Sequence, residues 1–278
     1  WDMGSGEPVC ALLTDGSIDL HSALFDEGVD VFPAGDGVLT WGHNAWATVL
    51  NASTCKMSCH LRHASVVTVA SVFPDGRRVV TGGWDRRAVI WNASSCELLR
   101  EMHHPRHVTG VVVLHGGRTL ATSSHAAWTL LWDVASGDRL QRLMEPPGYR
   151  MKRTIGLVGF PDGNRLVTFN EAGAVVWNLS SPDRPLLLGS LPEWTTQGVA
   201  VSSSGGAVAL CGAGRVFVWD SATGAFLGMR RQSFALADGA QCHVAIGVGR
   251  GLEPPGIGHG FAWHEFARVV ASREKTAR

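Results

Sequence analysis

Twelve histidines, six cysteines and three Asn-x-Ser triplets are the residues of this 278-residue chain that could carry chemistry. His103, His104 and His107 are close enough to suggest proton transfer or metal binding, yet a site needs partners converging from elsewhere in the chain. Cys55, Cys59 and His60 invite a metal reading, but their spacing does not match a structural zinc pair and no second pair follows at a finger-like distance. All six cysteines (Cys10, Cys55, Cys59, Cys96, Cys211 and Cys242) are scattered without the rhythm of a disulfide framework. They read as buried thiols of a reducing compartment. The glycine-rich stretch 247–258 lacks both the Lys-Ser/Thr ending of a phosphate loop and the spacing of a dinucleotide fingerprint. Pro254-Pro255-Gly256 reads instead as an inserted loop. With no nucleophile elbow and no His-Glu-x-x-His helix either, the expectation is no catalytic residue, no cofactor and no metal.

The elements that hold these residues follow from composition and periodicity. The chain is 45% hydrophobic and 17% charged, long enough to bury a sizeable core, and has no apolar run of bilayer length. Lys plus Arg equals Asp plus Glu at 24 each, so no electrostatic footprint for nucleic acid or anionic lipid is expected. Eleven Trp against one Tyr, with 34 Gly, suits many short strands and tight turns with one Trp recurring per unit. A start at Trp1 rather than Met points to a fragment or processed product, with any targeting segment outside it.

The recurring unit is visible as an apolar strand ending in Trp and a small polar residue: Ala88-Val89-Ile90-Trp91-Asn92, Thr129-Leu130-Leu131-Trp132-Asp133, Ala174-Val175-Val176-Trp177-Asn178 and Val216-Phe217-Val218-Trp219-Asp220. These Trp residues are 41, 45 and 42 residues apart, with Leu50 and Trp263 in the same place one unit earlier and later. About fifteen residues before each Trp lies a turn, at Pro74-Asp75-Gly76, His115-Gly116-Gly117, Pro161-Asp162-Gly163 and Ser204-Gly205-Gly206. Pro presets φ, Asp bonds the backbone and Gly supplies positive φ, so the flanking runs 66–72 and 78–81 read as a hairpin. A few antiparallel strands cannot cover both their faces, so units must stack.

The chain resembles the WD-repeat family, most closely across residues 60–140. The resemblance implies an all-β fold, a β-propeller of four-stranded antiparallel blades over residues 1–266, with units ending near 50, 91, 132, 177, 219 and 263. Six blades are visible. Trp1-Asp2 reads as the end of one more, which would make seven, and 267–278 is left as a C-terminal strand or tail. Either 8–14 or 267–272 would supply the strand that closes the ring. In such blades a His, a Ser or Thr, an Asp and the Trp form a hydrogen-bonded network. His63, Thr81, Asp85 and Trp91 fill all four places, with Arg62 where Gly usually precedes the His. The next unit keeps His104, Thr122 and Trp132 but has Ala126 for the Asp. Later units are more worn, with Glu171 and Arg150, then Ala213. The blades around Trp91 and Trp132 are therefore expected to be firmest.

Asn51, Asn92 and Asn178, the Asn-x-Ser positions, share the place after the Trp. They read as by-products of the repeat, and with no secretory evidence glycosylation at them is not expected. The resemblance also places the residue before the turn Asp at one rim of the channel, where partners are often touched: His43, Trp84, His125, Asn170 and Gly212. Trp84 with Arg86 and Arg87 stands out, because Trp and Arg dominate interface hot spots. The implied function is a protein–protein interaction scaffold that is not an enzyme. Its partners are other proteins, with no nucleic acid and no membrane. The expected location is intracellular, in the cytoplasm, with the nucleus left open. The alternatives are a propeller enzyme with a small-molecule or metal site in the central channel, and a decayed copy with no dedicated partner.

Overall fold

The computed structural model describes residues 26–42, 44–126, 128–144, 146, 154, 156–170, 173–189, 196, 198–212, 215–231, 242–247 and 267–271. Among these the regular structure is β-strand, with one short 3-10 turn at His115–Gly117. Five four-stranded sheets follow one another along the chain, each strand bonded to the next in sequence. The first holds β1 (Asp26–Val31), β2 (Gly37–Gly42), β3 (Trp46–Asn51) and β4 (Met57–Arg62). The second holds β5 (Val67–Val72), β6 (Arg78–Gly83), β7 (Arg87–Asn92) and β8 (Leu98–His103). The third holds β9 (Val108–Leu114), β10 (Thr119–Ser124), β11 (Trp128–Asp133) and β12 (Arg139–Met144). The fourth holds β13 (Gly156–Gly159), β14 (Arg165–Asn170), β15 (Gly173–Asn178) and β16 (Leu186–Leu188). The fifth holds β17 (Gly198–Val201), β18 (Ala207–Gly212), β19 (Arg215–Asp220) and β20 (Phe226–Arg231).

An antiparallel pair follows, β21 (Cys242–Gly247) with β22 (Ala267–Ala271). Of the two segments expected to supply the ring-closing strand, one, 267–272, contains β22, which pairs with β21. Residues 8–14 and Trp263 lie outside the described residues. No helix among the described residues is long and apolar enough to cross a membrane.

Each hairpin is set by its turn. In Pro74-Asp75-Gly76 the Asp75 carboxylate accepts the amides of Arg77 (2.9 Å) and Arg78 (3.2 Å), and Gly76 takes φ +63°. Asp162 and Gly163 repeat this arrangement between β13 and β14.

The chain divides into two compact units, Trp1–Leu157 and Val158–Arg278. Within the first, period-2 alternation sends successive side chains of one strand to different cores. Val79, Val89 and Trp91 pack with Leu39, Val49 and Leu61 of the first sheet. Their neighbours Val80, Ala88 and Ile90 pack with Val111, Leu120, Leu130 and Trp132 of the third. The second sheet is therefore covered on both faces, which is why β6 and β7 are buried along nearly their whole length. Fourth strands such as β8 and β12 are mostly exposed, and Arg100, Arg139 and Arg142 keep those edges charged. In the second unit, Val167, Ala174 and Val176 pack with Val208, Leu210 and Trp219 by the same rule.

The cysteines correct one expectation. Cys10 and the Cys242 side chain lie outside the described residues, and the other four are not free thiols: Cys59 on β4 and Cys96 in the β7–β8 turn form a disulfide with a Cα–Cα distance of 5.4 Å. Cys55 and Cys211 are disulfide-bonded as well. Sequence spacing could not show this, because the bond joins two different sheets.

Candidate interaction surface

The second sheet assembles a chain of hydrogen bonds from four elements. His63 precedes β5, Thr81 lies on β6, Asp85 in the β6–β7 turn and Trp91 on β7. The His63 Nδ1–H donates to Asp85 Oδ2 (2.9 Å), and Thr81 Oγ1 donates to His63 Nε2 (2.6 Å). The Trp91 indole N–H in turn donates to Thr81 Oγ1 (2.7 Å). Asp85 also accepts the Ala64 amide and the Arg87 Nε–H. Burial alone would raise the Asp85 carboxyl; the hydrogen bonds it accepts from His63, the Ala64 amide and Arg87 outweigh it and hold the group well below the usual carboxylate range. Every polar atom of this core has a partner, which fixes how the β6–β7 turn is presented.

The third sheet keeps only part of this. Trp132 donates to Thr122 Oγ1 at 2.7 Å, but with Ala126 in place of the carboxylate, both ring nitrogens of buried His104 lack a hydrogen-bond partner. Its ring only meets Trp132 edge-on, 5.7 Å between centroids. Burial, with a smaller push from His103, brings the His104 pKa down to about 4. In the fourth sheet Trp177 donates to Thr168 Oγ1 (2.9 Å), a pair the sequence reading missed. A Thr on the second strand, nine or ten residues before the Trp, is the signal that would have found it.

The turn fixed by Asp85 carries the exposed part of the surface. Trp84 is 50% exposed, and its ring stacks on His107 with centroids 5.4 Å apart. The His107 Nδ1–H donates to the Trp84 carbonyl at 2.7 Å, and His125 meets His107 edge-on at 5.9 Å. Arg86 is exposed and adopts φ +67°, a region that disfavours any side chain with a Cβ. It is held there by its own amide bonded to the Gly83 carbonyl and by its carbonyl accepting the His104 amide. Arg62 and Arg106, at the same end of the sheet, are exposed too.

The expected rim residues do not behave as one set. Trp84, Arg86 and His125 are exposed in the first unit. Arg87 is not free for a partner, since it bridges Asp85 (3.0 Å) and Glu101 (3.2 Å). Asn170 ends β14 at 5% exposure and Gly212 is buried at the end of β18, so neither offers open surface. His43, Arg150, Glu171 and Ala213 lie outside the described residues. The neighbouring histidines diverge rather than converge: His103 faces Glu101 at 3.3 Å, His104 is buried and His107 stacks on Trp84. Cys55 and Cys59, beside His60, have no thiolate to give a metal because both are in disulfides.

Sequence reasoning also missed Arg78 and Arg165, each three residues after a turn Asp. Arg78 bonds Asp75 through Nε (2.7 Å), lies 4.4 Å over the Phe73 ring and reaches the Gly117 carbonyl of the third sheet. Arg165 likewise bonds Asp162 (2.6 Å), covers Phe160 at 4.1 Å and donates to the Gly205 carbonyl (3.0 Å) and Ser221 Oγ (3.0 Å) of the fifth sheet. Each clips one sheet's turn to the next. The repeated Phe-Pro-Asp-Gly-x-Arg string was the available signal.

Compared with models of known protein families the chain matches none, and no curated protein matches it.

Proposed function

We propose that this chain is a protein–protein interaction module of the WD-repeat type, its sheets arranged as blades of a β-propeller, and that partners dock on the end of the first unit formed by Trp84, Arg86, His107 and His125. The observation that carries the reading is Trp84, half exposed on a turn whose backbone is fixed from beneath by the Asp85–His63 hydrogen bond. A large aromatic ring already stacked on His107 loses little freedom when a partner covers it. Around it, exposed Arg86 and Arg106 make no side-chain ion pair among the described residues. The nearby acids Asp85 and Glu101 are taken up by Arg87, His63 and His103. The complementary partner therefore presents a carboxylate-rich segment with an apolar side chain to lie against Trp84.

The test is a pull-down from native extract with wild type and the Trp84→Ala/Arg86→Glu variant, after matching their thermal melts. A protein captured by wild type and lost by the equally folded variant supports the reading. Capture that is unchanged in the variant moves the interface off this surface. No reproducible capture overturns the scaffold role and raises the channel-enzyme and decayed-copy alternatives. Turnover of a hydrolase substrate panel then separates those two.

A further inference from the structure

The turn between the third and fourth strands has one design in four sheets. Its first residue (Asn51, Asn92, Asp133 or Asp220) has its carbonyl bonded to the amide four residues on, at Cys55, Cys96, Gly137 and Gly224. That later residue sits at positive φ: 57°, 62°, 81° and 70° respectively. Glycine adopts this conformation without strain and a Cβ does not, so Gly137 and Gly224 are the residues the backbone favours. Where the turn departs from glycine, it carries cysteine both times, and both cysteines are disulfide-bonded. Cys96 bonds to Cys59 and so joins the second sheet to the first. A cross-link kept against the backbone's own preference marks a chain that matures where disulfides persist, in an oxidising compartment.

The first position of the same turn now reads differently. In each case a side-chain oxygen does the structural work. Asn51 Oδ1 accepts the amides of Ser53 (3.1 Å) and Thr54 (2.8 Å). Asn92 Oδ1 accepts those of Ser94 and Ser95 (2.9 Å each); in the fourth sheet, whose tighter turn bonds the Asn178 carbonyl to the Ser181 amide, Asn178 Oδ1 accepts that of Ser180 (3.0 Å). Asp133 and Asp220 do this equally well with a carboxylate, accepting Ser136 and Thr223 amides at 2.8 Å. The amide nitrogen Nδ2 of the three asparagines is therefore superfluous to the turn, and it makes no hydrogen bond among the described residues. All three open an Asn-x-Ser triplet whose Ser (Ser53, Ser94 or Ser180) is exposed.

We propose that Asn51, Asn92 and Asn178 are acceptors of N-linked glycans, added in the oxidising secretory compartment where the Cys59–Cys96 bond forms. Nδ2 attacks the anomeric carbon of a lipid-diphosphate-linked oligosaccharide. The new C–N bond replaces the sugar–diphosphate C–O bond, the lipid diphosphate leaves, and the amide proton passes to the transferase base. Oδ1 remains free to hold the turn. Because third-to-fourth-strand turns lie at the other end of each sheet from the β6–β7 turn, glycans at Asn51 and Asn92 leave Trp84 uncovered. The intracellular location expected from cysteine spacing is set aside by this inference.

The test is peptide mapping of the full chain from its native cells, unreduced, after amidase release of N-glycans in heavy-oxygen water. The expected result is a labelled Asp at 51, 92 and 178 together with a linked Cys59–Cys96 peptide. Asn92→Asp, which keeps the turn's acceptor oxygen, should remove one glycan's worth of mass while leaving the melt unchanged. Unmodified asparagine at all three positions overturns the glycan assignment even if the disulfide is present. Free thiols at Cys59 and Cys96 overturn the compartment as well.

Discussion

The second and third sheets share the register of their central hairpin and a buried Trp–Thr pair, yet one holds its histidine and the other strands it. Asp85 is the difference. With the carboxylate present, His63 is locked in one tautomer and its Nε2 meets Thr81 at 2.6 Å. With Ala126 in that place, His104 keeps its burial but bonds nothing. Thr122 still serves Trp132, so the Trp–Thr bond does not need the histidine, whereas the histidine needs the acid. Ser124 Oγ and Thr129 Oγ1, buried in the same sheet, also lack partners. Polar groups in a closed core stabilise only when the whole chain of bonds is complete. The sheets around Trp91 and Trp132, both expected to be the firmest, therefore differ in how completely their buried polar groups are paired.

Asp85→Ala should bring the second sheet down to the condition of the third, with the largest effect. It strands His63 Nδ1, the Ala64 amide and Arg87 together, a loss of about 3 kcal/mol by denaturant titration. An unchanged midpoint would mean the network contributes nothing. Next is pH. Burial lowers the His104 pKa to about 4, so between its ordinary value and about 4 the unfolded chain binds a proton that the folded chain refuses. Stability is therefore full above about pH 6.5 and falls as pH drops, by about 2 kcal/mol on reaching pH 5. His104→Phe should flatten that slope in paired melts across the same range.

Ala126→Asp sharpens the comparison from the other side. It should give His104 Nδ1–H an acceptor, raise the His104 pKa and add about 1 kcal/mol at pH 7. Histidine titration by NMR reads the shift directly, and a His104 still titrating near 4 would show the ring cannot turn to the acid. Smallest is Arg78→Lys. It keeps the charge beside Asp75 but loses the planar stack on Phe73 and the reach to Gly117, for about 0.5 kcal/mol in a calorimetric melt.

Much of this comparison was legible in the sequence. Trp spacing and Pro-Asp-Gly turns located the repeated sheets, because local backbone chemistry writes both. His63, Thr81, Asp85 and Trp91 could be picked out because each holds a fixed place in a repeat. What escaped notice joins one sheet to another. The Cys59–Cys96 bond, the clips of Arg78 and Arg165, and the stack of His107 on Trp84 depend on which residues face each other across a stacking gap. No periodicity within a unit encodes that. His107 was seen only as one of three neighbouring histidines, whose side chains turn out to point three different ways.

The Cys59–Cys96 bond closes a loop of 37 residues that contains β5, β6, β7 and the whole Trp84–Arg86 turn. Arg86 is an exposed basic residue on that turn, and a trypsin-like protease cuts after such a side chain. A nick there would divide the backbone without releasing either piece, since both stay tethered through sulfur. The cut protein would run as one chain until reduced, its β6 and β7 still zipped side by side. Such a molecule can outlast the severing of the very loop by which it is proposed to be recognised.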